Sequence, residues 1–194
     1  MPGAVLHTTV NRIDAMGPEA ILEWAASLGS AARRVAVPPH TKQAVASGDP
    51  APFGMYMAAF ALPLAPGAPP RSAEDWARAV FEDAPEWLRP FVVLGWRFAL
   101  GLRLRPPDEA DQVLGWELER AGTVPDAVQG PDTVLLAAGS PLLRAQNIVA
   151  VDDDVVVWVT VVRFESPLGR VLWGLAAPVH HLTIPFLLTR AASA

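Results

Sequence analysis

The chain has 194 residues, of which 52% are hydrophobic and 18% are charged, against about 25% charged residues in a typical soluble domain. This length fits one domain, or one domain with an additional N-terminal segment, and the excess of Ala, Pro and Arg suggests a bacterial genome rich in G and C. The net charge of −5 opposes contact with phosphate backbones, so no nucleic-acid partner is expected. The absence of cysteine excludes disulfides and thiolate metal sites.

Residues 1–50 are interpreted as an N-terminal extension that packs on the main domain. The N-terminus shows no basic segment followed by an apolar one, so no secretory signal is indicated and the cytoplasm is the default location. Pro18 suits the first turn of a helix that ends at Gly29. A short extended segment at residues 34–38 follows, and the main domain is predicted to occupy residues 51–194.

The main domain is predicted to begin with a strand at residues 55–64, which two short helices follow. Ser72 and Asp75 approximate a capping box for the first helix. The second helix is expected to start near Glu86 and to run to about residue 102. Its apolar face is predicted to consist of Leu88, Phe91, Val92, Gly95 and Phe98.

Beyond residue 112 the hydrophobic pattern changes from a helical to an alternating period. Residues 113–120 are predicted to form one strand, with Leu114, Trp116 and Leu118 on the same face. Three more strands are predicted at residues 133–138, 142–151 and 155–165. The last of these is apolar on both faces, so both faces must be covered, one of them by a helix.

The C-terminal segment is predicted to be one long helix. Ser166 and Pro167 are typical of an N-cap and a first helical residue, and Pro178 is expected to kink the helix. Residues 171–189 carry no formal charge and are long enough to span a bilayer, but the two prolines and His180 within them favour a buried core helix. The buried stripe is predicted to be Leu168, Leu172, Leu175, Val179, Leu182 and Phe186.

This order of elements predicts an α+β fold of the helix-grip type. In that fold an antiparallel sheet wraps around a long, kinked C-terminal helix, and two short helices follow the first strand. Such an arrangement encloses an apolar interior.

Two segments carry a resemblance to a known family. The sequence TVVRFESPLGRVLWGLAAPVHHLTIPFLLTRA and the segment APEWLRPFVVLGWR, which includes Trp87, Arg89 and Arg97, resemble an uncharacterised bacterial domain family of the polyketide-cyclase/START-like (SRPBCC) superfamily. The resemblance covers about residues 50–192 and implies a helix-grip fold around an internal cavity, but no particular activity. The chain departs from the family at residues 140–147, where SPLLRAQN replaces the acidic and histidine residues that related chains often carry.

Candidate ligand-binding residues are the aromatic and polar side chains within apolar elements. The tryptophans, including Trp96, suit the walls of an apolar pocket, and core packing explains them equally well. A buried arginine needs a partner, which is either Glu165 or Glu117 or an oxygen of a ligand. Gln146 and Asn147 are further polar residues on these strands. The candidates are Arg97, Trp116, Arg144, Trp158, Arg163, Trp173 and His180.

His180 and His181 do not suit one metal ion, because successive helical residues point about 100° apart. His180 is expected to face the cavity as a hydrogen-bonding or acid–base group. Alternatively, one ring faces solvent and the backbone satisfies the other. Neither a metal nor a cofactor is expected. The sequence has no glycine-rich phosphate loop and no G-x-S-x-G elbow, which argues against nucleotide binding and against serine hydrolysis.

Three functions remain open. The first is a carrier or sensor that binds a hydrophobic small molecule, lipid- or polyketide-like, in an internal cavity. The second is an enzyme of cyclase or dehydratase type that uses the same cavity. The third is a structural or membrane-surface protein whose C-terminal helix contacts a partner or lipid. The sequence identifies no catalytic residue and no oligomeric state.

Overall fold

The computed structural model describes residues 32–39, 41–42, 51–106, 109, 111–120, 132–152 and 154–193. They form an α+β fold in which a seven-stranded antiparallel open sheet packs against a long C-terminal helix. The chain divides into two compact units, residues 1–31 and 32–194. The helix that the sequence predicts between Pro18 and Gly29 lies outside the described residues, and the packing of an N-terminal extension stays a prediction.

In the sheet, the first long strand along the chain is hydrogen-bonded to the last one. Its order is β1-β2-β7-β6-β5-β4-β3, and all neighbours are antiparallel. The short strand β1 pairs with β2 and so belongs to this sheet. The strands are β1 (Arg33–Val35), β2 (Met55–Pro63), β3 (Gln112–Val113), β4 (Trp116–Arg120), β5 (Asp132–Gly139), β6 (Leu143–Val151) and β7 (Val155–Phe164).

The four long strands lie where the alternating pattern predicts them, within two residues at each end. The prediction of a single strand over residues 113–120 is wrong. The chain turns back at Leu114 and Gly115, both of which have positive φ angles, 48° and 87°, and β3 pairs with β4 across that turn. A Cβ at Gly115 would lie 2.8 Å from the Cβ of Leu104, so this turn requires glycine.

The two faces of the sheet bury different residues. The inner face, which we define as the one covered by the helices, includes Trp158, Val162 and Phe164 of β7 in the main core. The outer face carries a smaller apolar cluster that includes Leu135, Ile148, Val159 and Val161. Even-numbered residues of β7 therefore face the helices and odd-numbered residues face the other way, as the alternating pattern predicts.

Two helices follow β2, as predicted. Helix α1 (Ala73–Phe81) begins with a complete capping box between Ser72 and Asp75. Helix α2 (Leu88–Leu94) continues directly into a π turn, Gly95–Ala99.

The predicted apolar face of α2 is only partly correct. Leu88 is buried, but Phe91 and Phe98 are 56% and 79% exposed. Trp96 turns inward instead, and its ring lies 5.1 Å from the ring of Phe81. The π turn explains the change at Phe98, because an extra residue in one turn rotates every later side chain around the helix.

Helix α3 (Pro167–Ala191) begins where the sequence predicts, and the Oγ of its N-cap Ser166 accepts a 3.0 Å hydrogen bond from the backbone N of Gly169. The predicted buried stripe is wrong. Leu168, Leu175, Val179, Leu182 and Phe186 are exposed, and only Leu172 of that stripe is half-buried. The core instead receives Gly169, Trp173, Ile184, Leu187, Leu188 and Ala191.

The physical reason is that α3 is apolar around most of its circumference, so periodicity alone fits two faces. The small residue Gly169 decides between them. A Cβ at Gly169 would overlap the carbonyl oxygen of Leu142, so this side of α3 approaches the β5–β6 hairpin more closely than a larger side chain permits.

Among the described residues α3 is the one helix long and apolar enough to cross a membrane, and 22% of its apolar window is buried. The core helix of a soluble protein passes the same test of length and composition. The helix continues through Pro178 and Pro185 without interruption. A kink at Pro178 stays a prediction.

Candidate functional site

A cavity of about 380 Å³ lies between α2 with its π turn, α3 and the inner face of the sheet. This volume is within the range of small-molecule sites, about 300–1,000 Å³. The space between the sheet and the terminal helix is therefore not filled by side chains. Large apolar residues from these elements and from the end of α1 form the walls, among them Phe81, Trp96, Trp116, Leu172 and Trp173.

Polar groups at the sheet side of the cavity come from neighbouring strands. Asn147 of β6 pairs with Thr160 of β7 in the register of the sheet, and both residues line the cavity. The Oδ1 of Asn147 accepts hydrogen bonds from the Oγ1 of Thr160 at 2.7 Å and from the Nε1 of Trp158 at 3.1 Å. Because an indole nitrogen is a donor only, this atom of Asn147 must be the oxygen. Asn147 and Thr160 therefore place an amide and a hydroxyl group at the sheet side of the cavity.

His180 of α3 also lines the cavity. Burial lowers the pKa of its imidazole to about 3, and the positive charges of His181 and Arg34 add to the effect. His180 is therefore neutral near pH 7. Its Nε2 is buried and has no hydrogen-bond partner among the described residues.

The walls contain two further buried donors without partners among the residues that the structure describes, the Nε1 atoms of Trp116 and Trp173. An unsatisfied buried polar atom costs about 1–3 kcal/mol. The cavity wall is therefore rich in unpaired hydrogen-bonding nitrogen atoms, and a ligand with an oxygen acceptor would relieve this cost if a ring turned toward it.

His181 has a different environment from His180. Its Nε2 forms a hydrogen bond with the hydroxyl group of Tyr56, so a side chain, not the backbone, satisfies it. Burial, followed by the charge of Arg34, lowers the pKa of His181, and burial raises the pKa of Tyr56. The expectation that one ring faces solvent while the backbone satisfies the other does not describe this pair. The described part of the chain holds no cluster of three or more His, Asp or Glu residues that suits a metal ion.

The structure brings together three of the seven sequence-predicted ligand-binding residues. Trp116, Trp173 and His180 line the cavity, together with Trp96. Trp158 is fully buried and reaches the site through its hydrogen bond to Asn147.

The three arginines lie elsewhere. Arg97 is exposed on the π turn. Arg144 and Arg163 pair across β6 and β7 and line an open depression of about 610 Å³ on the outer face. The Nε of Arg144 forms a 2.9 Å ion pair with the Oε1 of Glu165, which is one of the two protein partners that the sequence proposes for it.

Sequence reasoning missed Thr160 and Thr183, which also line the cavity, and it grouped Asn147 with the arginines. A signal for Asn147 was available. Residues 144 and 146 have the opposite parity to residue 147 along a strand, so Asn147 had to face away from Arg144 and Gln146.

The chemistry of the cavity follows from its lining, which includes no Asp, Glu, Lys or Arg among the described residues. His180 with a pKa of about 3 is a weak base near neutral pH. The site can hold an uncharged molecule and donate hydrogen bonds to it, but it has no strong acid–base pair. Comparison with family models, with curated proteins and with solved structures found no match for this chain.

Proposed function

We propose that the protein binds an uncharged hydrophobic small molecule in the cavity between α2, α3 and the inner face of the sheet, as a carrier or sensor. The observation that carries this proposal is the cavity of about 380 Å³ itself, with aromatic and aliphatic walls and with polar groups on the sheet and on α3. Apolar walls supply affinity through burial of the ligand, and a few placed polar groups fix its orientation.

The ligand is uncharged because the cavity offers no opposite charge. A buried carboxylate without a countercharge is strongly disfavoured, and the candidate arginines lie on the outer face or at the surface. The Nδ2 group of Asn147 would donate to a hydroxyl, carbonyl or ester oxygen of the ligand. Lipid- or polyketide-like molecules combine such an oxygen with a long or fused apolar body.

The helix-grip assignment and membership of the polyketide-cyclase/START-like superfamily are part of this proposal. The strand order supports both, because β2 pairs with β7, the remaining strands follow in reverse chain order and two helices connect β2 to β3. The packing of Tyr56 of β2 against Trp173 of α3, with ring centroids 5.2 Å apart, supports a sheet that holds the terminal helix.

The cyclase or dehydratase alternative has less support. Such an enzyme needs a proton acceptor or donor in the cavity, and His180 is the one candidate among the lining residues. With a pKa of about 3, His180 would accept a proton poorly at neutral pH.

Ligand binding can be tested by titrating the protein with 1-decanol and, separately, with decanoate at pH 7.5. Tryptophan fluorescence reports occupancy because Trp96, Trp116 and Trp173 line the cavity. We expect the alcohol to bind and the ionised acid of equal chain length to bind far more weakly. Equal affinity for both, or no binding of either, contradicts the proposal.

A matched pair of variants locates the binding. Ala176 lines the cavity, whereas Ala192 is exposed beyond the end of α3. Ala176→Leu fills part of the space and should weaken alcohol binding by about tenfold or more, since overpacking costs about 1–3 kcal/mol. Ala192→Leu should leave the affinity unchanged. Loss of binding in both variants, or in neither, would place the probe outside this cavity.

A further inference from the structure

Most of the large apolar side chains that are exposed to solvent lie on the helices that enclose the cavity. Among the described residues twelve such side chains are exposed, and ten of them lie on α3 or on α2 with its N-cap and π turn. On α3 they recur every three or four residues, so they form one stripe. The ten are Trp87, Phe91, Leu94, Phe98, Leu168, Val171, Leu175, Val179, Leu182 and Phe186. We call this surface the apolar face.

The charge of the apolar face is opposite in sign to that of the whole chain. Residues 87–99 and 166–194 contain no Asp or Glu, although the chain has 20 of them and a net charge of −5. The same two segments include Arg97, Arg170 and Arg190, all exposed. On α3, Arg190 continues the exposed stripe four residues after Phe186, whereas Arg170 points to the other side of the helix. The cations of the apolar face are therefore Arg97 and Arg190.

The mouth of the cavity opens on the apolar face. Phe91 of α2 and Leu175 and Val179 of α3 are 56%, 74% and 44% exposed, and the same three residues line the cavity. A molecule that enters or leaves the cavity between α2 and α3 passes through this surface.

We propose that the apolar face docks on the surface of a bilayer that contains anionic lipid. Apolar side chains would enter the boundary between headgroups and acyl chains, and the arginines would contact lipid phosphates. Direct exchange of the cavity's ligand with the membrane rests on the proposed function, whereas docking itself does not.

Helix α3 lies in the interface in this arrangement and does not cross the bilayer. Its inner side is held by the domain, since Leu187 and Leu188 are buried and the Nη1 of Arg71 donates to the carbonyl oxygen of Ala191 at 2.7 Å. The hydroxyl of Thr189 accepts a 2.9 Å hydrogen bond from the backbone N of Ala32. Crossing would break these contacts and expose the core of the sheet.

A second copy of the chain is a poorer occupant than a lipid surface. A two-fold contact brings the same patch of both subunits together, so it would gather Arg97 and Arg190 of both copies without a carboxylate from residues 87–99 or 166–194. Anionic phosphates provide the opposite charge that a second copy lacks.

Vesicle flotation tests the proposal with the full chain. The protein should float with vesicles of phosphatidylcholine and phosphatidylglycerol and should float much less with phosphatidylcholine alone, and added salt should reduce the bound fraction. Arg97→Glu and Arg190→Glu should each lower the affinity for the anionic vesicles by about fivefold or more. Leu182→Gln should lower it through the lost apolar contact.

The control variants replace an arginine by glutamate and an apolar residue by glutamine at sites away from the apolar face. Arg103 is exposed at the depression on the outer face, and Met55 is a half-exposed apolar residue of β2 whose neighbour across the sheet is Arg163. Arg103→Glu and Met55→Gln should leave flotation unchanged. Docking would be overturned by equal binding to both vesicle types or by equal effects of the test and control variants. It would also be overturned if no vesicle is bound and sedimentation shows a dimer that Leu182→Gln dissociates. Alcohol binding in solution with no flotation would overturn docking alone and leave the cavity's function intact.

Discussion

Helices α1 and α3 pack on the same sheet but differ in the surface that they turn away from it. Helix α1 buries Trp76, Val80 and Phe81. Its other side carries charged groups, and Arg78 forms ion pairs with Glu74 and Glu82 at 2.9 and 3.1 Å. Helix α3 also buries one side, but its other side is a stripe of exposed apolar residues, and no Asp or Glu lies between Ser166 and the C-terminus.

The two outer surfaces differ in whether folding alone explains their composition. The composition of α1 is what folding alone requires, an apolar side for the core and a charged side for water. The outer stripe of α3 does not stabilise the fold, and exposed apolar patches mark interaction sites. The surplus apolar surface of α3, together with the cavity behind it, therefore points to binding.

The largest expected effect is the difference in stability between two leucine-to-alanine variants, one on each side of α3. Leu188 is completely buried, and Leu182 is 76% exposed. Leu188→Ala should lower the free energy of unfolding by about 2–5 kcal/mol, as large-to-small changes in cores do. Leu182→Ala should change it by less than about 0.5 kcal/mol. Urea denaturation of both variants measures the difference.

Equal destabilisation by the two alanine variants would break the comparison. It would mean that the outer stripe of α3 is buried in the native protein in solution, for example against another copy. Dilution of the protein would then lower the midpoint of the Leu182→Ala transition further, because dissociation depends on concentration.

Local signals in the sequence predicted most of the fold. Alternation located β2, β5, β6 and β7, and the pair Ser166 and Pro167 located the start of α3. The β3–β4 hairpin was missed because its turn uses Leu114, which rarely adopts a positive φ. The buried side of α3 was missed because an apolar pattern around most of a helix has no single direction.

The candidate site was harder to predict because it depends on contacts between distant elements. Trp116, Trp173 and His180 could be named as polar or aromatic residues in apolar segments, but their meeting around one cavity needs the packing of α3 on the sheet. The bond from Thr160 to Asn147 needs the register of β6 against β7. The arginines lie away from this cavity, and Arg144 pairs with Glu165, which shows that a charged residue on a strand can find its partner in the protein.

A smaller effect is expected from the two glycines of α3. Gly169 faces the carbonyl oxygen of Leu142, which also accepts hydrogen bonds from the backbone N of Glu165 at 2.9 Å and of Ser166 at 3.2 Å. Gly169→Ala must displace the helix start and should destabilise the protein by about 1–3 kcal/mol. Gly174 has nothing within 4 Å of its added Cβ, so Gly174→Ala should be neutral or stabilising by up to about 1 kcal/mol. Thermal unfolding that ranks the two variants in the opposite order would show that α3 does not sit on the β5–β6 hairpin as described.

The most specific effect is the dependence of stability on pH through His180. Its pKa is lowered from 6.5 to about 3 in the folded state by burial, so below pH 6.5 the unfolded chain binds a proton that the native protein does not. Stability should therefore be unaffected by this group above pH 6.5 and should fall by about 1.4 kcal/mol for each pH unit as the pH drops toward the folded pKa. Measuring the free energy of unfolding of the native sequence and of His180→Phe between pH 7 and pH 5 isolates the contribution, because the other titrating groups, His181 included, are common to both proteins.

Parallel curves would mean that His180 is solvated, in which case the cavity is wet at that point and its unpaired Nε2 is not available to orient an apolar ligand. A difference between the two curves that is constant above pH 6.5 and grows in favour of His180→Phe as the pH falls would show that α3 keeps His180 neutral at the wall of the cavity.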